Sequence, residues 1–162
     1  YILIHTFMLA WSPWFYEHLK LDTGATRRRV VLLTYALSAL ALLGGLAYGV
    51  STWVLYEFMV DDAYSSGYDV AIVLSLAQAM IGLQIMISAF ITFARKTSAL
   101  ATITLVTGVV NIAISYILIQ MMGMMGAAIG TLAANAMGLV ITWVVAARVH
   151  SMPWFGEKGG RA

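Results

Sequence analysis

The chain has 162 residues, of which 62% are hydrophobic and only 10% charged, with a formal net charge of +2 at pH 7. Soluble domains carry about a quarter charged residues, so a surface this oily excludes water as the main solvent and demands lipid. The small net charge gives nucleic acid no footing, and the lack of cysteine rules out disulfides and thiolate metal sites.

The first apolar run, residues 1–16, opens YILIHTFM with neither an initiator Met nor a basic leader, unlike a signal peptide. It is short for a membrane span and reads as the end of a helix that begins upstream, which makes this chain the C-terminal part of a longer protein. Pro13 marks the helix end or a kink. His5 either lines an internal path as a proton-binding group or hydrogen-bonds a neighbouring helix, the commoner role of a lone histidine.

Four further runs reach the roughly 20 apolar residues needed to cross a bilayer core of about 30 Å. They cover 30–56, 70–94, 99–122 and 124–147. None alternates like a barrel strand, and an open sheet edge has no partner in lipid. The expected fold is all-α: a polytopic transmembrane helix bundle of about five helices over residues 1–150, followed by a tail at 151–162.

The connections carry the topology. The first holds Glu17, Lys20, Asp22, Arg27, Arg28 and Arg29, and the third holds Arg95 and Lys96. The tail side adds Arg148, Lys158 and Arg161. The second connection has Glu57, Asp61, Asp62 and Asp69 without Lys or Arg, and the fourth, 120–126, is uncharged. Basic residues in alternate connections place the first loop, the third loop and the C-terminus in the cytoplasm. Trp11, Trp14 and Tyr16 suit an interfacial belt on that side; Trp53, Tyr56, Tyr64 and Tyr68 suit one on the other.

Chemistry is sparse. No carboxylate pair, histidine cluster or activated nucleophile lies at membrane depth, and no phosphate-binding loop is present. Neither enzymatic activity nor a cofactor or metal is expected. The acidic group Asp61, Asp62 and Asp69 reads as a solvated face without recognisable ligand spacing. Gln78 and Gln84, with Ser75 and Ser88, either face a polar cavity or hydrogen-bond between helices, at about 1 kcal/mol per contact. The basic clusters Arg27–Arg29 and Arg95–Lys96 set topology and touch anionic headgroups, or grip a pyrophosphate. Gly126, Gly130, Ala134 and Gly138 leave one helix face nearly bare for close packing, and Gly123 with Gly126 fits a tight turn. Thr131, Asn135 and, one helix earlier, Asn111 add hydrogen-bonding groups.

Asn111 followed by YILIQMMGMMGAAIGT resembles the stretch "N…Y.LI…G..GAA..T" near the end of polysaccharide and lipid-linked oligosaccharide flippases, members of the multidrug/oligosaccharidyl-lipid/polysaccharide exporter superfamily. AWSPWFYEHLK resembles that family's helix end before a charged cytoplasmic loop, and ARKTSALATIT its basic turn before the Asn-bearing helix. The resemblance covers most of the chain, in order. It implies two pseudosymmetric bundles of six helices, this chain supplying the last five, in a bacterial or archaeal inner membrane. It further implies alternating access, with pyrophosphate and sugars in a central cavity and the polyprenyl tail in lipid. The partners it implies are membrane lipid, the lipid-linked oligosaccharide and the N-terminal bundle of the same protein. The candidates for substrate path or headgroup contact are then His5, Gln78, Gln84, Asn111 and the basic Arg27, Arg28, Arg29, Arg95 and Lys96. The chain departs from the expected pattern in having no cavity arginine within its spans. A drug/cation antiporter of the same superfamily is the alternative, and a non-transporting scaffold or membrane-bound glycan enzyme a second one.

Overall fold

The structure is a computed structural model that describes residues 2–20, 23–59 and 67–149. Among these, five helices account for the fold: α1 (Ile2–Lys20), α2 (Gly24–Met59), α3 (Gly67–Phe93), α4 (Thr97–Met122) and α5 (Met124–Val149). The chain is all-α, and α2 to α5 each contain a stretch long and apolar enough to cross a membrane, from Thr26–Thr52 to Met124–Val149. It is a multi-pass membrane protein.

Two helix boundaries differ from the sequence expectation. The second helix starts at Gly24, six positions before Val30, so Arg27–Arg29 sit in its first turns and not in a loop. The cause is local: Thr23 is the N-cap, its Oγ1 accepting the Thr26 N–H at 3.3 Å, while its carbonyl accepts the Arg27 N–H at 3.0 Å. The first helix does not end at Pro13 but runs through it to Lys20. An interior proline costs about 3 kcal/mol. Beyond it, Phe15 and Leu19 are buried, and burying two such side chains is worth roughly 1.5–3 kcal/mol each, enough to hold the last turns helical.

Helix α3 is the central post. The antiparallel α2 lies on one side of it and the parallel α5 on another; α4 packs on α5 and barely touches α3. Small residues set the approach of α2: a Cβ on Gly45 would stand 2.8 Å from Ala79 Cβ, and one on Gly49 would stand 3.4 Å from Ile72 Cα. The outer face of α4 is oily and open, with Ile112 74% and Met121 76% exposed, as a lipid-facing helix requires.

All five helices meet in one core at one end of the bundle. Phe15 and Leu19 of α1, Val30 and Val31 of α2, Ile87 and Phe90 of α3, Ile103 of α4 and Ala146 of α5 are buried together there. Phe15 meets Phe90 edge-on at 4.7 Å. Trp11, Trp14 and Tyr16, partly buried, pack against this cluster. His18 stacks on Trp14 with ring centroids 4.0 Å apart and donates through Nδ1 to the Trp14 carbonyl at 2.9 Å. Every described Lys and Arg lies at this same end: Lys20, Arg27–Arg29, Arg95, Lys96 and Arg148. Asp69 occupies the first turn of α3 at the opposite end. Trp53, Tyr56 and Glu57 fall on α2 and His5 on α1, their side chains outside the described part; Asp61, Asp62, Tyr64, Pro153, Lys158 and Arg161 lie outside the described residues altogether.

Candidate functional site

The site is built on the α4–α5 hairpin. A single residue, Gly123, joins the two helices at φ 58° and ψ −133°, its N–H bonded to Ile119 O at 2.9 Å. L side chains rarely adopt that backbone conformation, so glycine is needed there for its backbone and not for space. From this turn the helices run back in a fixed register. Gly126 lies directly on the Leu118 carbonyl; Gly130 sits over Ser115, where a Cβ would stand 2.9 Å from Ser115 Cα; Gly138 faces Thr107, with 3.0 Å from a Cβ to Oγ1. Ala134, fully buried, completes this face. The small face therefore meets α4, and opposite it α4 presents Thr107, Asn111 and Ser115 at four-residue spacing.

Thr107 and Asn111, with α3, border a cleft. Because α4 leans on α5 and hardly on α3, a space of about 440 Å³ remains between α3 and α4. Its polar lining is Gln84 and Ser88 from α3, Thr104, Thr107 and Asn111 from α4, and Asn135 from α5. Some of these groups are satisfied locally. Ser115 Oγ donates to Asn111 Oδ1 at 2.9 Å, and Ser88 Oγ to Ile85 O at 2.7 Å. Asn135 Nδ2, buried, donates to Ala77 O at 3.1 Å and ties α5 to α3. Thr107 Oγ1 is buried and has no hydrogen-bond partner. It lies in the α4–α5 contact against Gly138 and does not open into the cleft. Among the described residues no ionisable side chain lines the cleft.

The two glutamines, expected either to face a polar cavity or to hydrogen-bond between helices, line two different spaces. Six residues of helix turn about 240°, which puts Gln84 in this cleft and Gln78 in a second, larger groove between α2 and α3. That groove, about 1150 Å³, is walled mostly by apolar residues such as Leu37, Leu40, Leu74 and Met86, with Ser75 beside Gln78. Ser75 Oγ is occupied by Ala71 O at 2.7 Å.

The basic candidates stand apart from both spaces. Arg28, Arg29, Arg95 and Lys96 are exposed and Arg27 half-buried. Arg27–Arg29 oppose the positive pole of the α2 dipole, which costs about 0.3–1 kcal/mol per charge. Arg95 terminates α3 in the left-handed region at φ 57°. Its N–H bonds Thr92 O at 2.9 Å and the Lys96 N–H bonds Ile91 O at 3.2 Å, the double closure usually built on glycine. Among the described residues no group of three or more His, Asp or Glu is placed to hold a metal.

Thr104, Thr107 and Ser115 escaped the sequence reading. Their signal was present: with Asn111 they recur at spacings of three, four and four along α4, a polar stripe on an otherwise apolar helix. No family model matches the chain, and comparison with curated proteins and with solved structures finds no significant match. What the cleft does has to be argued from its own residues and geometry.

Proposed function

We propose that this protein translocates a lipid-linked oligosaccharide across a cell's inner membrane by alternating access, acting as the C-terminal bundle of a two-bundle exporter. One observation carries the proposal. The stretch from Asn111 to Thr131, whose pattern resembles the polysaccharide flippases, is also the stretch that forms the α4–α5 hairpin turn, and its first residue, Asn111, lines the neutral polar cleft. The hairpin's glycine contacts support a bundle that moves as a unit. The polar cleft supports passage of a hydroxyl-bearing group past oily walls. Among the described residues no carboxylate lines it, which speaks against a cation antiporter working through this cleft. The concentration of Lys and Arg at one end supports a cytoplasmic position for that end and for the C-terminus.

Gene disruption in the native cell tests the proposal. The expected result is loss of surface glycan with accumulation of lipid-linked repeat units on the inner leaflet. Unchanged surface glycan and no accumulation would refute it. Reporter fusions at the C-terminus test the orientation: activity of a periplasm-dependent reporter there would reverse it.

A further inference from the structure

We infer that the α3–α4–α5 cleft is a binding subsite for an uncharged sugar ring, and that it discriminates against acidic sugars. This deepens the exporter reading and rests on it.

The volume is suited to a small ligand: about 440 Å³ lies toward the lower end of the roughly 300–1,000 Å³ typical of ligand pockets. The chemistry is suited to hydroxyls. Gln84, Asn111 and Asn135 are amides and Thr104, Thr107 and Ser88 are hydroxyls; each type both donates and accepts, as a sugar hydroxyl does. Ile81, Ile85, Leu100 and Ile103 complete the walls and offer apolar surface to the C–H faces of a ring. Ser88, Asn111 and Asn135 each make one bond within the protein, and the amides keep further donor and acceptor capacity that lipid cannot meet.

The selectivity follows from what the lining lacks. With no Lys, Arg or His among the lining residues, a carboxylate would enter without a counter-charge, and burying an unpaired charge is far costlier than burying a hydroxyl that finds a partner. The space for the ring is kept open by two glycines. A side chain at Gly138 would come within 3.2 Å of Gln84 Oε1, and Gly108, with nothing within 4 Å, borders the cleft without filling it.

These 162 residues hold no cysteine, so once any cysteine elsewhere in the full chain is replaced, labelling reports on the introduced thiol alone. Thr104→Cys, at an exposed position of the α4 wall, and Ser88→Cys on the opposite wall are introduced separately into the full chain in native membrane vesicles. Each is labelled with a small water-soluble thiol reagent, alone and in the presence of methyl glucoside or of glucuronate at equal concentration. Labelling of both cysteines, slowed several-fold by methyl glucoside and unaffected by glucuronate, is the expected result. Equal slowing by the two sugars overturns the discrimination. No slowing by either overturns the sugar subsite and leaves a water-filled seam. A cysteine that reacts only after denaturation also overturns it, since the cleft is then covered by another membrane helix. The gene disruption separates the two readings. Loss of surface glycan without sugar protection sinks the subsite alone; protection in a chain whose loss leaves surface glycan intact sinks the exporter.

Discussion

Gly130→Ala adds one methyl group where α4 and α5 are nearly in backbone contact. The new Cβ would stand 2.5 Å from Ser115 Oγ, 2.9 Å from its Cα and 3.1 Å from its N. The hydroxyl can swing aside only by giving up its 2.9 Å bond to Asn111, worth about 0.6 kcal/mol in a membrane protein. The Cα can yield only with the α4 backbone. Restoring ordinary carbon contacts of about 3.5–4.0 Å opens the hairpin locally by roughly 1 Å. Overpacking of this kind costs about 1–3 kcal/mol, against about 0.8–1.0 kcal/mol returned by replacing a helical glycine with alanine. The net expectation is a loss of about 1–2 kcal/mol. Gly108→Ala, on α4, is the internal comparison: nothing lies within 4 Å of its Cβ, so only the propensity gain remains and the sign reverses. Reversible unfolding of the purified full chain in mixed micelles, followed by far-ultraviolet circular dichroism, should separate the two variants by about 2 kcal/mol. If Gly130→Ala proves as stable as Gly108→Ala, the close approach of α4 and α5 is wrong, and the cleft geometry with it.

Gly123→Ala should destabilise the same hairpin by about 1–3 kcal/mol, although open space surrounds it, because its φ of 58° and ψ of −133° are strained for an L residue; an unchanged unfolding midpoint would show that the turn does not require this conformation. Arg95→Gly should raise stability by roughly 1 kcal/mol by relieving a left-handed arginine at φ 57°. The same change should increase the fraction of chains inserted in the inverted orientation, measured with a C-terminal reporter, and an unaltered fraction would mean that this charge does not help to set topology.

The helices were legible because lipid enforces them: an oily run of this length in a bilayer has no alternative to a helix. Their ends were less legible. Hydropathy placed the start of α2 at Val30, where the apolar residues begin, yet the cap lies at Thr23, and Thr-x-x-Thr just before the arginines was the readable sign. Pro13 was read through its local cost, while tertiary burial of Phe15 outweighs it. The glycine face of α5 could be read from spacing alone, but its partner could not, since spacing says that a face is bare and not which helix covers it. For Gln78 and Gln84, hydropathy gave depth without rotation, and six residues along a helix turned them into different spaces. Nothing in the sequence signalled that Trp11, Trp14 and Tyr16 also pack against the shared core, because aromatic enrichment near a span end is common to interfacial belts and to interior seals.

The side chains inside the bundle are graded along its length. At the end that carries the basic residues, the largest fully buried side chains are Phe15, Phe90, Ile87 and Ile91. At the end where α4 turns into α5, contact is made through Gly126 and Gly130, and between α2 and α3 Gly49 lies against Ile72 and Ser75. The two ends therefore have opposite mutational tolerances. Near the basic end, truncating a side chain leaves a void and enlargement elsewhere in that layer has soft neighbours to displace. At the other end, truncation has almost nothing to remove, and any added carbon pries two backbones apart. A saturation scan of buried positions should thus change sign along the membrane normal, intolerant of loss in one leaflet and of gain in the other.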